Sequence, residues 1–182
     1  MNLIEASSMS NNIAKECWNK IITYLAATDQ SHKIDQLGSV PQIIWGKFGF
    51  HTAGRYCWTQ KSDHIEMNTN YLNISNPSEF IINTTRHEVA HCINQRIGSK
   101  GVHDYMWKRI ARILGDSGEI YHNYERPSNA PKRTKVIHTF YCTCGQEFNL
   151  TDRRLTSAKN GKYLCSSCKK NLKLLFTENG EL

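Results

Sequence analysis

Apolar positions at Ile13, Cys17, Trp18, Ile21, Ile22 and Leu25 recur at helical spacing. Residues 10–28 are therefore expected to form an amphipathic helix, with Ser10 as its N-cap. From residue 42 the period shortens. The runs "QIIWGKF", "RYCWTQ" and "HIEMN" are rich in β-branched and aromatic residues and separated by glycine or polar residues. They predict strands of a small sheet, with a hairpin turn at 61–63. The helical period returns in "NPSEFIINTTRHEVAHCINQRIG". Asn76 can cap this long helix, Pro77 suits its first turn, and Gly98 suits the position just past its end. A short loop, "SKGV", leads into a second helix, "DYMWKRIARILG", closed by Gly115.

Residues 122–135, "HNYERPSNAPKRTK", are polar and carry two prolines, the pattern of a linker. A compact module follows. The expected division is a core at 1–121, a linker at 122–135, a four-cysteine module at 136–176 and a flexible tail at 177–182.

Composition bounds the picture. The 182 residues suit one ordinary domain with room for a small second module, and 39% hydrophobic content supports a core. No apolar run approaches a membrane span, and "MNLIEASSMSNN" lacks the features of a signal peptide. A soluble intracellular protein with no membrane partner is expected: cytoplasmic in a bacterium or virus, nuclear in a eukaryote. Cys17, Cys57 and Cys92 sit in apolar neighbourhoods and read as reduced core thiols. The formal charge of +7 is uneven, with +6 on residues 132–182 and +1 on the rest. A basic module beside a near-neutral one suggests a polyanion partner.

Two clusters carry candidate chemistry. His87 and His91 are four apart, so one helix face presents both imidazoles to a single metal ion. Glu88 stands beside His87, where its carboxylate can contact water on that metal and act as general base. An HExxHxxGxxH pattern would need glycine at 94 and histidine at 97, where the chain has Asn94 and Ile97. Glu119 and Glu125 fall outside a clean helical register, and Asp104 and Asp116 are less apt. His103, at the mouth of the next helix, is the favoured third ligand. Trp107, one turn later, reads as a core aromatic fixing the two helices. No oxyanion stabiliser is assigned, and Tyr56 and Tyr105 are candidates because phenols can donate there. His32, His51, His64, His122 and His138 show no partner pattern and read as structural or surface residues.

The second cluster is Cys142, Cys144, Cys165 and Cys168, a C-x-C-x20-C-x2-C spacing suited to a closed, structural site of four thiolates. So small a module needs its metal to fold. Bases and aromatics interleave through it: Lys132, Arg133, Lys135, Phe140, Tyr141, Arg153, Arg154, Lys162, Tyr163, Lys169 and Lys170. Most of the rings read as the module's own core. Arg153, Arg154, Lys169 and Lys170 are the expected phosphate contacts, without sequence specificity.

"HEVAHCI", a glycine-bearing turn and "HDYMWK" resemble the SprT-like metallopeptidases, and "YCTCG" followed by "GKYLCSSCKKNL" is similar to the zinc ribbon of that family. His103 and Trp107 match the ends of the family's third-ligand stretch, and Asp104 stands where glycine is usual. The resemblance implies an α+β, zincin-like (SprT-type) metalloprotease core with a small sheet, followed by a C-terminal β zinc ribbon. It implies two Zn²⁺ ions, one catalytic on His87, His91 and His103 and one structural on the four cysteines. It further implies a zinc endopeptidase associated with DNA, single-stranded or read without sequence preference, that acts on proteins bound or crosslinked to DNA, itself included. A monomer is expected. A non-catalytic zinc-containing module that binds DNA or protein is the alternative, and Glu88 argues against it, because a purely structural site needs no carboxylate there.

Overall fold

The computed structural model describes residues 1–59, 62–99, 101–131 and 134–181, the side chains of 134–135 and 178–181 excepted. It divides into two units, Met1–Ala130 and Pro131–Leu182.

The first unit opens with helix α1, Leu3–Ala26, which starts earlier than expected. Asn2 Oδ1 accepts from Glu5 N at 2.9 Å, and Glu5 Oε2 accepts from Asn2 N at 3.1 Å. This reciprocal capping box fixes the start, and no glycine or proline interrupts the first turns. Ser10 is therefore not a cap. It is buried within the helix, its hydroxyl donating to Ser7 O at 3.0 Å.

After a short helix α2 (Ile34–Leu37) come strands β1 (Gln42–Gly46), β2 (Gly54–Trp58) and β3 (Asp63–Asn68). The sheet order is β1-β3-β2, with β1 parallel and β2 antiparallel to β3. Ile65 and Met67 point into the core, while His64 and Glu66 lie on the opposite face, as strand alternation requires. Gln60 and Lys61, part of or next to the expected turn, lie outside the described residues.

Helix α3, Pro77–Arg96, begins where the sequence says it should: Asn76 Oδ1 accepts from Glu79 N at 3.2 Å. It packs against α1, β2 and helix α4, Tyr105–Leu114. Its last turn is anchored by charge. The Arg96 guanidinium donates to both oxygens of Asp63 on β3, at 2.6 and 2.8 Å, and to the carbonyls of Leu37 and Ser39. That fork draws the end of α3, the start of β3 and the segment after α2 to one point.

The expected linker is not a free connector over its first part. Tyr124 packs edge-on against Phe80 and Tyr71, with ring centroids 5.6 and 6.1 Å away. Glu125 accepts from the Ser75 backbone at 3.0 Å and from its hydroxyl at 2.5 Å. These non-local contacts keep residues up to Ala130 within the first unit.

The second unit is an antiparallel sheet of order β5-β4-β6, built from β4 (Thr134–Tyr141), β5 (Glu147–Thr151) and β6 (Lys173–Glu181), with helix α5 (Asp152–Lys159) after β5. Residues 177–181, expected to be a flexible tail, form the end of β6. The reason lies in β4. Strand β5 pairs only with residues 137–141 of it, and β6 supplies backbone partners from Thr134 onward. The chain is thus a mixed α+β protein with two small sheets. Among the described residues, no helix is long and apolar enough to cross a membrane.

Candidate active site

Helix α3 presents His87 and His91 one turn apart, and the turn before α4 brings His103 to them. His87 Nε2 lies 3.3 Å from His91 Nε2 and 3.4 Å from His103 Nε2. Ligand nitrogens about 2.05 Å from a tetrahedral zinc would stand roughly 3.3–3.4 Å apart, so this spacing fits such an ion. The Val102 backbone accepts a hydrogen bond from the His91 ring, which leaves the other nitrogen a lone pair for a metal. Burial lowers the pKa of His87 to about 4 and of His91 to about 3, so both rings stay neutral and able to ligate at ordinary pH.

The loop to His103 is closed by Asp104. Its carboxylate caps α4, accepting from Trp107 N at 2.8 Å, and also accepts from the Ser99 hydroxyl. A Cβ on Gly101 would stand 2.5 Å from Asp104 Cβ, so the turn needs glycine there. Asp104 thus stabilises the bend that delivers His103. Trp107 is fully buried beneath all three imidazoles, its ring centroid 4.8, 5.1 and 4.5 Å from those of His87, His91 and His103. It is the aromatic floor of the site.

Glu88 is only 6% exposed. Burial pushes its carboxyl up to about 8, against the Tyr56 backbone N–H, which donates to it and favours the charged form. A nearby cation would pull it back down. Strand β2 reaches this close because of Gly54. A Cβ there would meet Thr84 Cγ2 at 2.6 Å and Glu88 Cγ at 3.2 Å.

His87 and Glu88 open onto a cavity of about 500 Å³. Its other walls include His51 and Gly54 on one side and the stretch Asp116–Tyr124 on the other. Asp116 Oδ2 stands 4.0 Å from His87 Nδ1, on the side away from the other histidines. Four contributors escaped the sequence reading: Gly54, Asp116 in this role, His122 and Tyr124. The signals were a glycine opening a strand and two aromatics, Tyr121 and Tyr124, bracketing His122 in a stretch that otherwise reads as polar linker.

Neither phenol candidate fits an oxyanion role. The Tyr56 hydroxyl donates to Asp63 at 2.7 Å. Tyr105 is 75% exposed and does not line the cavity. Of the unassigned histidines, His51 and His122 line the cavity, His64 faces Glu66, and His138 is buried between Asp152 and Thr177, at 2.6 and 2.9 Å. His64, Glu66 and Cys57 also form a loose group of potential metal donors, but Arg55 pairs with Glu66 at 2.5 Å.

In the second unit the four cysteine sulfurs converge, with Cys142 and Cys168 at 3.2 Å and Cys144 and Cys165 at 3.5 Å. All are free thiols. The Cys168 backbone N–H helps lower Cys165 to about 6, and the Cys144 backbone N–H lowers Cys142. Two of the four thiols are thus favoured as thiolates, and the convergence of all four sulfurs suits a closed tetrahedral zinc site. Phe140 is buried and Tyr163 packs against the same small core. Arg153, Arg154, Lys162, Lys169 and Lys170 are exposed. Lys132, Arg133 and the Lys135 side chain lie outside the described residues.

The chain is 34% identical over 107 residues to Protein SprT of Pseudomonas savastanoi pv. phaseolicola (strain 1448A / Race 6). It is 31% identical over 102 residues to Protein SprT of Pseudomonas putida (strain W619). Each match takes in 53% of this chain and 60% of the relative, so the chain spans less than two thirds of the length of these curated relatives. No solved structure gives a significant match. The model of the SprT-like family matches residues 24–133, which is 110 of the 182 residues. With that region taking in α3, its histidines and the cavity wall, the chain belongs to the SprT-like family.

Proposed function

We propose that the protein is a zinc-dependent endopeptidase with a zincin-like core, associated with DNA and cleaving proteins bound or crosslinked to it, itself included. Membership of the SprT-like family suggests a metalloprotease-type function at family level. One observation carries the reading to this chain: three imidazoles converge, with the His91 and His103 nitrogens 3.3 and 3.4 Å from that of His87, beside a buried carboxylate at the wall of a cavity.

His87, His91 and His103 would hold the ion. When bound, zinc supplies a polarised carbonyl and a more acidic water. Glu88 takes the proton from the attacking water and returns it to the leaving amine nitrogen. With the ion bound its carboxyl is drawn back down from the value burial gives it, so Glu88 is charged and able to accept that proton. Strand β2 is an edge of its sheet, and its Gly54 end lines the cavity, so an extended peptide can lie along it as an added strand. Cys142, Cys144, Cys165 and Cys168 would hold the second, structural zinc. Arg153, Arg154, Lys169 and Lys170 would follow a phosphate backbone without reading bases.

The test is cleavage of a DNA-binding protein, and of the chain itself, with and without single-stranded DNA. Cleavage stimulated by DNA should fall by about 10²–10⁴-fold in Glu88→Gln, with zinc content unchanged. If neither protein cleaves while zinc and DNA are both retained, the reading gives way to a zinc-containing binding module.

A further inference from the structure

We propose that His122 stabilises the oxyanion: its ring N–H donates a hydrogen bond to the carbonyl oxygen of the scissile bond as that oxygen becomes negative. The proposal rests on the hydrolytic reading above and adds the group which that reading leaves unassigned.

Three observations carry it. His122 lines the cavity together with His87 and Glu88. Its ring is held in place from two sides: stacked on Tyr124 at 4.5 Å and 21°, and edge-on to Tyr71 at 5.7 Å. Those two rings are themselves tethered, Tyr71 Oη donating to Phe50 O at 2.9 Å and Tyr124 Oη accepting from Thr84 Oγ1 at 3.2 Å. Stacking on Tyr124 takes up a face of the imidazole, so the ring nitrogens, which lie on its edge, are not covered by that contact. Thr84 stands one turn before Glu88 on α3, so the aromatic anchor of His122 and the general base share a helix face. A donor fixed in advance is what charge development in a transition state requires, because nothing then has to reorganise.

The step balances without further reagents. Water oxygen bonds to the carbonyl carbon, the carbonyl π pair moves onto its oxygen, and Glu88 holds the released proton. The C–N bond then breaks, and Glu88 delivers that proton to nitrogen. His122 donates a hydrogen bond throughout and loses no proton.

The test uses the zinc-loaded full chain and a phosphinic peptide, whose tetrahedral phosphinyl group mimics the addition state. His122→Phe keeps a ring to stack on Tyr124 and removes both nitrogens. It should lower kcat about 10²–10³-fold with KM little changed, and weaken phosphinic peptide binding in calorimetry by a similar factor. Zinc content and Tm should stay at wild-type values. His122→Gln, which keeps a donor, should recover part of both losses. Unchanged phosphinic affinity in His122→Phe overturns the proposal, as does a loss that follows Tyr124→Phe instead. If His122→Phe does not fold, the affinity of His122→Gln against His122→Ala decides. Cleavage by wild type that is lost in Glu88→Gln but kept in His122→Phe sinks His122 alone. Cleavage that survives in Glu88→Gln sinks the hydrolytic reading, and a wild type that neither cleaves nor binds the phosphinic peptide sinks both.

Discussion

The two donor clusters of this protein are opposite solutions to the placing of metal ligands. Two of the histidines stand on the packed helix α3 and the third on the turn before α4, all half-buried over a buried tryptophan. The cysteines stand on turns, in a unit whose buried core is Phe140, Leu150, Ala158 and Leu172 besides Cys142 and Cys165 themselves. In the first, packing places the ligands and a metal is added to a finished site. In the second, the ligands are a large part of what there is to pack, so the metal must be part of the folding reaction. The open site also has a cavity and a buried carboxylate beside it.

Chelation should separate them most sharply. Removing zinc should unfold the second unit and leave the first folded. All four tryptophans (Trp18, Trp45, Trp58 and Trp107) belong to the first unit, so their fluorescence reports on it alone. The expected result is a cooperative transition by tryptophan emission that persists, at a lower temperature because the histidine site loses its ion, with loss of amide protection confined to residues 134–181. Loss of both transitions at once would erase the distinction.

A smaller effect tests whether packing alone places Glu88. Gly54→Ala puts a methyl 2.6 Å from Thr84 Cγ2 and 3.2 Å from Glu88 Cγ. The strand must move away or the carboxylate must turn. Stability should fall by about 1–3 kcal/mol. Peptide hydrolysis should fall by more than that loss explains, while zinc content holds. Full activity with an unchanged melting curve would mean that β2 does not set the position of Glu88.

This contrast also explains what the sequence disclosed. The His87–Glu88–His91 run, its Asn76 cap and its closing Gly98 depend on spacing within one helix, and the cysteine pattern on spacing within two turns. Such signals are local, and they were legible. The cavity wall was not. Tyr124 and His122 acquire their place by packing on Phe80 and Tyr71, far away in sequence, within a stretch whose composition is that of a linker. The end of β6 was hidden for a different reason: its pairing with β4 runs through backbone groups, which every polar residue there offers equally. The start of α1 was legible in principle, since Asn2 and Glu5 have capping-box spacing, but the apolar period begins later and draws the eye to Ser10.

Acid should reveal that the histidine site is preformed. In the chelated protein, His87 and His91 are held near pKa 4 and 3, against an ordinary value of 6.5. Between those limits the unfolded chain binds more protons than the folded one, so stability falls as pH falls from about 6.5 towards 3, less steeply once His87 has titrated near 4, and levels off below that. The tryptophan-detected Tm of the chelated protein should drop by several degrees over this interval. His91→Phe, which removes one of the two titrating rings, should flatten the drop. A Tm insensitive to pH across that window would mean that the rings are not buried before metal arrives.

The smallest expected effect lies in the loop that delivers the third ligand. Asp104→Ala removes the cap on Trp107 N and the partner of the Ser99 hydroxyl. Loss of such a cap costs about 0.5–2 kcal/mol. Because His103 directly precedes Asp104, part of that cost should appear in metal affinity. Zinc should leave the histidine site faster in a chelator competition, while the cysteine site, on a separate unit, releases its zinc at the wild-type rate. Asp104→Asn, which keeps a capping oxygen, should restore most of the retention. If Asp104→Ala lowers Tm but leaves zinc release unchanged, the bend carrying His103 is held by Trp107 and the surrounding core rather than by its cap.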